Sequence, residues 1–153
     1  MGMRFTIVAI GRLKASPEVE LVKRYCTRLP KILTVIELEA NGPTPALRKE
    51  RETIALLENI PAGSFPIALD ERGQDLTTRG FHEFLMQKAA TQGPHFTFLI
   101  GGADGLDSEV LPPAIPKVCL GRMTWPHGMA RAMLAEQLYR IIQLEAQHPY
   151  HRD

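Results

Sequence analysis

The sequence is short of cysteine, of tryptophan and of net charge. Its two cysteines, Cys26 and Cys119, stand far apart and fit no metal-ligand spacing. No disulfide framework can rest on one pair, so two buried free thiols in a reducing compartment are expected. No run approaches the roughly 18 consecutive apolar residues of a membrane-spanning helix. The opening "MGMRFTIVAIGRLK" has a short apolar run with no small-residue cleavage site behind it. It reads as a first strand rather than a signal peptide, which points to the cytoplasm. Three motifs are also missing. No G-x-G-x-x-G follows the first strand, no G-x-x-x-x-G-K-[ST] occurs, and no G-x-S-x-G elbow is present. The dinucleotide, P-loop and hydrolase readings fail with them.

Net charge is +1, too little for a general nucleic-acid binder. The distribution is less even. Residues 1–31 carry Arg4, Arg12, Lys14, Lys23, Arg24, Arg28 and Lys31 against Glu18 and Glu20, and the remainder is net acidic. That basic third is either a phosphate-facing surface or a solvated helix face.

At 153 residues and 44% hydrophobic content, one domain with a real core is expected. Apolar, β-branched runs predict strands at 4–11, 32–39, 65–70, 95–102 and 117–121. Ser16, Pro17 and the acids behind them open a helix that Pro30 stops. Pro45 starts a second helix running to about Asn59, and Thr77 or Thr78 opens a third. Residues 129–147 form the longest. Strands alternating with helices imply an α/β domain with a mostly parallel sheet and helices on both faces. Ligands of such sheets sit beyond the carboxyl ends of the strands.

The ends of strands three, four and five read "LDERG", "IGGADGL" and "LGRMTWPHG". Glycines gather where backbone approaches something closely or takes positive φ, and three such loops in the second half favour a pocket. Asp104 and Asp107 suit turn capping better than ligand contact. Thr124, His127 and Arg131 gather around a helix start, and Trp125 is either core or pocket wall.

The ordered set "VAIGRLK", "YCTRL", "LDERGQDLTTRGF", "FLIGGADGL", "LGRMTWPHGMAR", "AEQLYR" and "HPYHRD" resembles the RlmH-type large-subunit ribosomal RNA methyltransferases of the SPOUT superfamily. The resemblance spans essentially the whole chain. It implies a single SPOUT domain, residues 1–153, with a C-terminal trefoil knot, acting as a homodimer without a metal. It implies S-adenosylmethionine as cofactor, held by Leu69, Gly101, Leu120, Gly121, Arg122, Met123, Thr124 and Trp125. Gly121 and Trp125 depart from the family pattern, where serine and phenylalanine or leucine are usual. The implied reaction is methylation of N3 of a pseudouridine in 23S ribosomal RNA within the large subunit or assembled ribosome.

The terminal "HPYHRD" then gains a role. Tyr150 would stack on the target base, His151 would position it or accept its proton, and Arg152 would offset charge developing on the ring. Otherwise these are idle surface groups. Two other readings stand beside this one: a non-catalytic RNA-binding or ribosome-assembly module, and a small-molecule enzyme using a nucleotide cofactor.

Overall fold

The computed structural model describes residues 2–147; Met1 and 148–153, which include Tyr150, His151 and Arg152, lie outside the described residues. The chain runs β1 (Arg4–Ile10), α1 (Pro17–Arg28), β2 (Leu33–Leu38), α2 (Pro45–Glu58), β3 (Phe65–Asp75), α3 (Thr78–Gln92), β4 (His95–Ile100), β5 (Lys117–Cys119) and α4 (His127–Glu145). The strands form one sheet in the order β2-β1-β4-β3-β5, and every pairing is parallel. All carboxyl ends therefore lie along one edge.

Alternation along β1 divides the core. Phe5, Ile7 and Ala9 face a layer built from α1, α3 and α4, with Tyr25, Leu29, Phe81, Leu85, Leu134, Leu138 and Ile141 buried in it. Val8 and Ile10 face the other side, where Leu56 of α2 packs with Leu106, Leu111 and Ile115. Helices thus cover both faces, as the βαβ pattern requires. Leu134, Leu138 and Ile141 of α4 are fully buried, and each contributes about 1.5–3 kcal/mol by leaving water.

The helix starts follow their caps. Ser16 accepts a hydrogen bond from Val19 N–H, Thr44 from Leu47 N–H, and Thr77, rather than Thr78, from Gly80 N–H. α4 begins at His127, two residues before the expected start, behind Pro126, and has no side-chain cap.

Several expected boundaries move. β3 does not stop at Asp70. It leaves the ladder after Leu69 and rejoins at Gln74, both of which pair with Val118, so residues 70–73 bulge outward. Gly73 permits this, because a Cβ there would lie 2.6 Å from the Lys117 carbonyl carbon. β4 ends at Ile100 because Gly101 turns tightly: its Cβ position lies 2.8 Å from the Gly105 carbonyl carbon. β5 ends at Cys119, two residues before Gly121 takes φ +90°. Both cysteines are free, but only Cys119 is buried; Cys26 on α1 is half-exposed.

Candidate cofactor cleft

Two adjoining cavities open at the carboxyl edge of the sheet. One, about 400 Å³, is lined by the bulge 70–72, the glycine turn 101–105, residues 119–121 and 123–125, and His127 and Ala130 of α4. The other, about 430 Å³, lies between β5, the start of α3 and α4, and is mostly apolar, with Leu69, Leu76, Phe81, Val118 and Leu134 in its wall. Leu69, Cys119, Leu120 and Gly121 line both. The cleft therefore has an apolar lobe and a polar lobe divided by one wall.

Of the eight residues expected to hold a cofactor, Leu69, Gly101, Leu120, Gly121, Met123, Thr124 and Trp125 line this cleft. Arg122 does not line either lobe, and it is exposed. Trp125 is 41% exposed rather than core, and its indole N–H donates to the Leu120 carbonyl at 3.2 Å, folding the loop on itself. Thr124 donates its hydroxyl proton to Glu71 at 3.0 Å, tying that loop to the bulge.

The polar lobe carries charge of both signs. Arg72 grips Asp70 through Nε at 3.1 Å and Nη2 at 3.0 Å. Burial pushes the Asp70 carboxyl up, but the hydrogen bonds and charge of Arg72, with help from Lys117, outweigh it and hold the group below the usual carboxylate range. Asp104 does not cap its turn as expected. It accepts from Arg48 at 2.8 Å and so ties the glycine turn to α2. Asp107 does cap, accepting from Glu109 N–H at 2.9 Å.

Two acids, Glu37 and Glu52, escape the sequence reading. Glu37, at the end of β2, receives Arg131 Nη1 at 2.5 Å and Leu13 N–H at 2.9 Å. Arg131 is 1% exposed and also donates to the Gly11 carbonyl at 3.0 Å. Burial raises Glu37, yet the Leu13 N–H and the Arg131 bond and charge leave its pKa lowered. Glu52 on α2 is buried beneath Gly102, whose Cβ position lies 3.0 Å from Glu52 Oε2. Its Oε1 has no hydrogen-bond partner, and burial followed by the nearby Asp104 raises its pKa. The sequence signal was an acid at the end of an apolar strand in one case, and an acid four residues before Leu56 on a buried helix face in the other.

Among the described residues, no group of three or more histidine, cysteine or acidic side chains is placed to hold a metal ion, and no helix is long and apolar enough to cross a membrane.

The family model for predicted SPOUT methyltransferases matches residues 3–151. A protein of Methylocella silvestris named ribosomal RNA large subunit methyltransferase H is 42% identical, the alignment covering 99% of this chain and 100% of that one. A protein of Rhodospirillum rubrum with the same name is also 42% identical, over 98% of this chain and 99% of its own. Among solved structures, a probable methylase family protein from Haemophilus influenzae Rd KW20 superposes with a TM-score of 0.53 at 14% identity, covering 100% of this chain and 72% of that one. That last likeness concerns the fold.

Proposed function

The chain belongs to the SPOUT methyltransferase family, and from that premise we propose that it methylates N3 of a pseudouridine in 23S ribosomal RNA of the large subunit, using S-adenosylmethionine. The observation that carries the reading is the convergence of seven expected cofactor residues on one two-lobed cleft at the carboxyl edge of a parallel sheet.

The lining fits such a cofactor. The apolar lobe suits a flat, uncharged ring, and the backbone of tight glycine turns offers polar groups to its edge. Glu71, whose Oε2 accepts from Thr124, gives the other lobe a carboxylate suited to a cation, while Asp70 is already matched by Arg72. Trp125 leaves ring area exposed at its mouth and can add a cation–π contribution. When bound, the cofactor supplies a methyl group on a positively charged sulfur.

The protein's share is alignment and proton handling. The N3–H of a pseudouridine must be lost as the nitrogen attacks, so the ring becomes anionic on the way. His151 accepts that proton, Arg152 offsets the charge, and Tyr150 stacks on the base.

The length of α4 argues that these residues come from a second copy of the chain. Its first turn lines the polar lobe, the one suited to the sulfonium, and Met133, Leu134, Glu136 and Gln137 line the apolar lobe. Its 19 residues carry the chain about 28 Å from the polar lobe. Arg152, seven residues beyond Glu145, can return over that distance only by running fully extended, about 25 Å of main chain with its long side chain closing the remainder. A partner's tail has no such constraint, so the active form in this reading is a cytoplasmic homodimer, with the C-terminal knot part of the same proposal.

Calorimetric titration with S-adenosylmethionine, followed by mass spectrometry of ribosomal RNA from cells with and without the gene, tests the reading. Cofactor binding and loss of one methylated pseudouridine are expected. Binding without any change in the RNA would leave a ribosome-assembly role instead.

A further inference from the structure

Resting on the ribosomal RNA reading above, we propose that Arg12, Lys14 and Arg122 form a cationic rim at the mouth of the cleft that carries phosphates of the RNA.

The segment after β1 is held by its odd-numbered residues. Gly11 N–H donates to the Leu38 carbonyl at 2.8 Å, and the Gly11 carbonyl accepts from Arg131 at 3.0 Å. Leu13 N–H donates to Glu37, and its side chain packs on α4, where a Cβ at Gly128 would lie 3.2 Å from Leu13 Cδ2. With Gly11 and Leu13 pinned inward, Arg12 and Lys14 are left exposed on the outer side. This is a rigid presentation, since the groups that pin it include a buried arginine and its carboxylate.

Arg122 comes from the loop between β5 and α4. It belongs to the 120–125 run, yet it is the member of that run that lines neither lobe. The two loops lie side by side: a Cβ at Gly11 would sit 3.3 Å from the ring of His127, which itself lines the polar lobe. The segment that carries Arg12 and Lys14 therefore adjoins the cleft beside His127, and Arg122 stands on the loop that lines it, with none of the three filling it.

None of the three is held in a buried ion pair among the described residues. Arg12 meets Glu39 at 3.7 Å with both side chains 62% exposed, a pair that a phosphate can displace at little cost. Lys14 and Arg122 make no ion pair among the described residues. The other N-terminal cations lie elsewhere. Arg4 begins β1, at the opposite edge of the sheet. On α1, Lys23 pairs with Glu20, and Arg28 lies over the rings of Tyr25 and Tyr139 at 5.9 and 5.5 Å. The N-terminal excess of basic residues is thus not one face, and its Arg12–Lys14 portion lies beside the start of α4, next to the cleft. A few local cations suit a protein of net charge +1 that needs phosphate contacts only around the target base.

The test is the salt dependence of binding to large ribosomal subunits purified from cells lacking the gene. Each phosphate contact contributes about 0.7–0.9 to the slope of log affinity against log salt. The double variant Arg12→Gln/Lys14→Gln should lose about 1.4–1.8 from that slope, and Arg122→Gln about 0.7–0.9. Lys23→Gln/Arg24→Gln, exposed on α1, should keep the wild-type slope. Calorimetry should give wild-type S-adenosylmethionine affinity for the Arg12→Gln/Lys14→Gln protein. Unchanged slopes in both rim variants, with cofactor binding intact, would overturn the rim alone. Failure of the wild-type protein to bind S-adenosylmethionine would overturn the reading beneath it.

Discussion

Arg131 of α4 and Glu37 of β2 meet at 2.5 Å across the carboxyl edge of the sheet, and both reach the segment after β1. Removing one member leaves the other charged and poorly solvated, so Glu37→Ala or Arg131→Met should cost about 3–5 kcal/mol in urea unfolding. The pH dependence has a fixed sign. The folded pKa of Glu37 lies below its ordinary 4.5, so its contribution is complete above that value and is lost as pH falls through the lower folded value. A Glu37→Gln protein should therefore lose less stability than wild type between neutral pH and pH ~3. Parallel losses would show that the pair does not govern the acid limb.

Glu52 should behave in the opposite sense. Its pKa is raised by burial and by Asp104, so folding favours the protonated form and stability falls as pH rises from 4.5 through the folded value. Glu52→Gln removes that charge and should be neutral or stabilising by about 1 kcal/mol at pH 7. Its unfolding free energy should also fall less than the wild type's as pH rises above 4.5. A large loss of stability at pH 7 would mean that the ionised carboxylate is needed beneath Gly102.

Gly101 is bare because of its own loop. A Cβ there would meet the Gly105 carbonyl, so even Gly101→Ala should destabilise the protein by about 1–3 kcal/mol and weaken cofactor binding together with stability. Thermal unfolding with and without S-adenosylmethionine separates the two effects. A stable Gly101→Ala protein that merely binds poorly would place the cofactor directly against this α-carbon.

Trp125 is the sole tryptophan, and it both lines the polar lobe and donates to the Leu120 carbonyl. Its emission should change on titration with S-adenosylmethionine. A flat emission signal alongside calorimetric binding would remove its ring from the site.

Deletion of residues 148–153 should spare cofactor binding and reduce methyl transfer at least a hundredfold, the range of a lost proton acceptor. Complementation checks whose tail acts. Leu120→Arg puts a cation into the wall shared by both lobes and should abolish binding of a cationic cofactor. Mixed dimers of Leu120→Arg and tail-deleted chains should recover activity, each contributing what the other lacks. Confirmed mixed dimers that stay inactive would confine the tail to its own subunit.

Much of this was legible in the residues. Ser16, Thr44 and the prolines behind them fix where α1 and α2 begin, because caps act through neighbours in sequence. The glycine-rich strand ends pointed to the cleft for the same local reason. What stayed hidden depends on distant partners. Nothing near Asp104 announces Arg48, and nothing near Arg131 announces Glu37, 94 residues earlier. The bulge in β3 was missed because Gln74 re-enters the ladder only by returning to Val118 on another strand. Charge counted along the chain likewise does not show that Arg4 opens β1 while Arg12 follows its far end.

The position of β4 between β1 and β3 has a consequence during synthesis. Every residue of β1, α1, β2, α2, β3 and α3 leaves the ribosome before the strand that joins the two halves. Until Ile100 is available, β1 can pair only with β2, and β3 has neither of its neighbours. Apolar edges that end in the centre of the finished sheet are open templates in the nascent chain. Chains cut short before β4 should therefore aggregate rather than persist as folded fragments, and the final folding step must wait for nearly two-thirds of the polypeptide to be made.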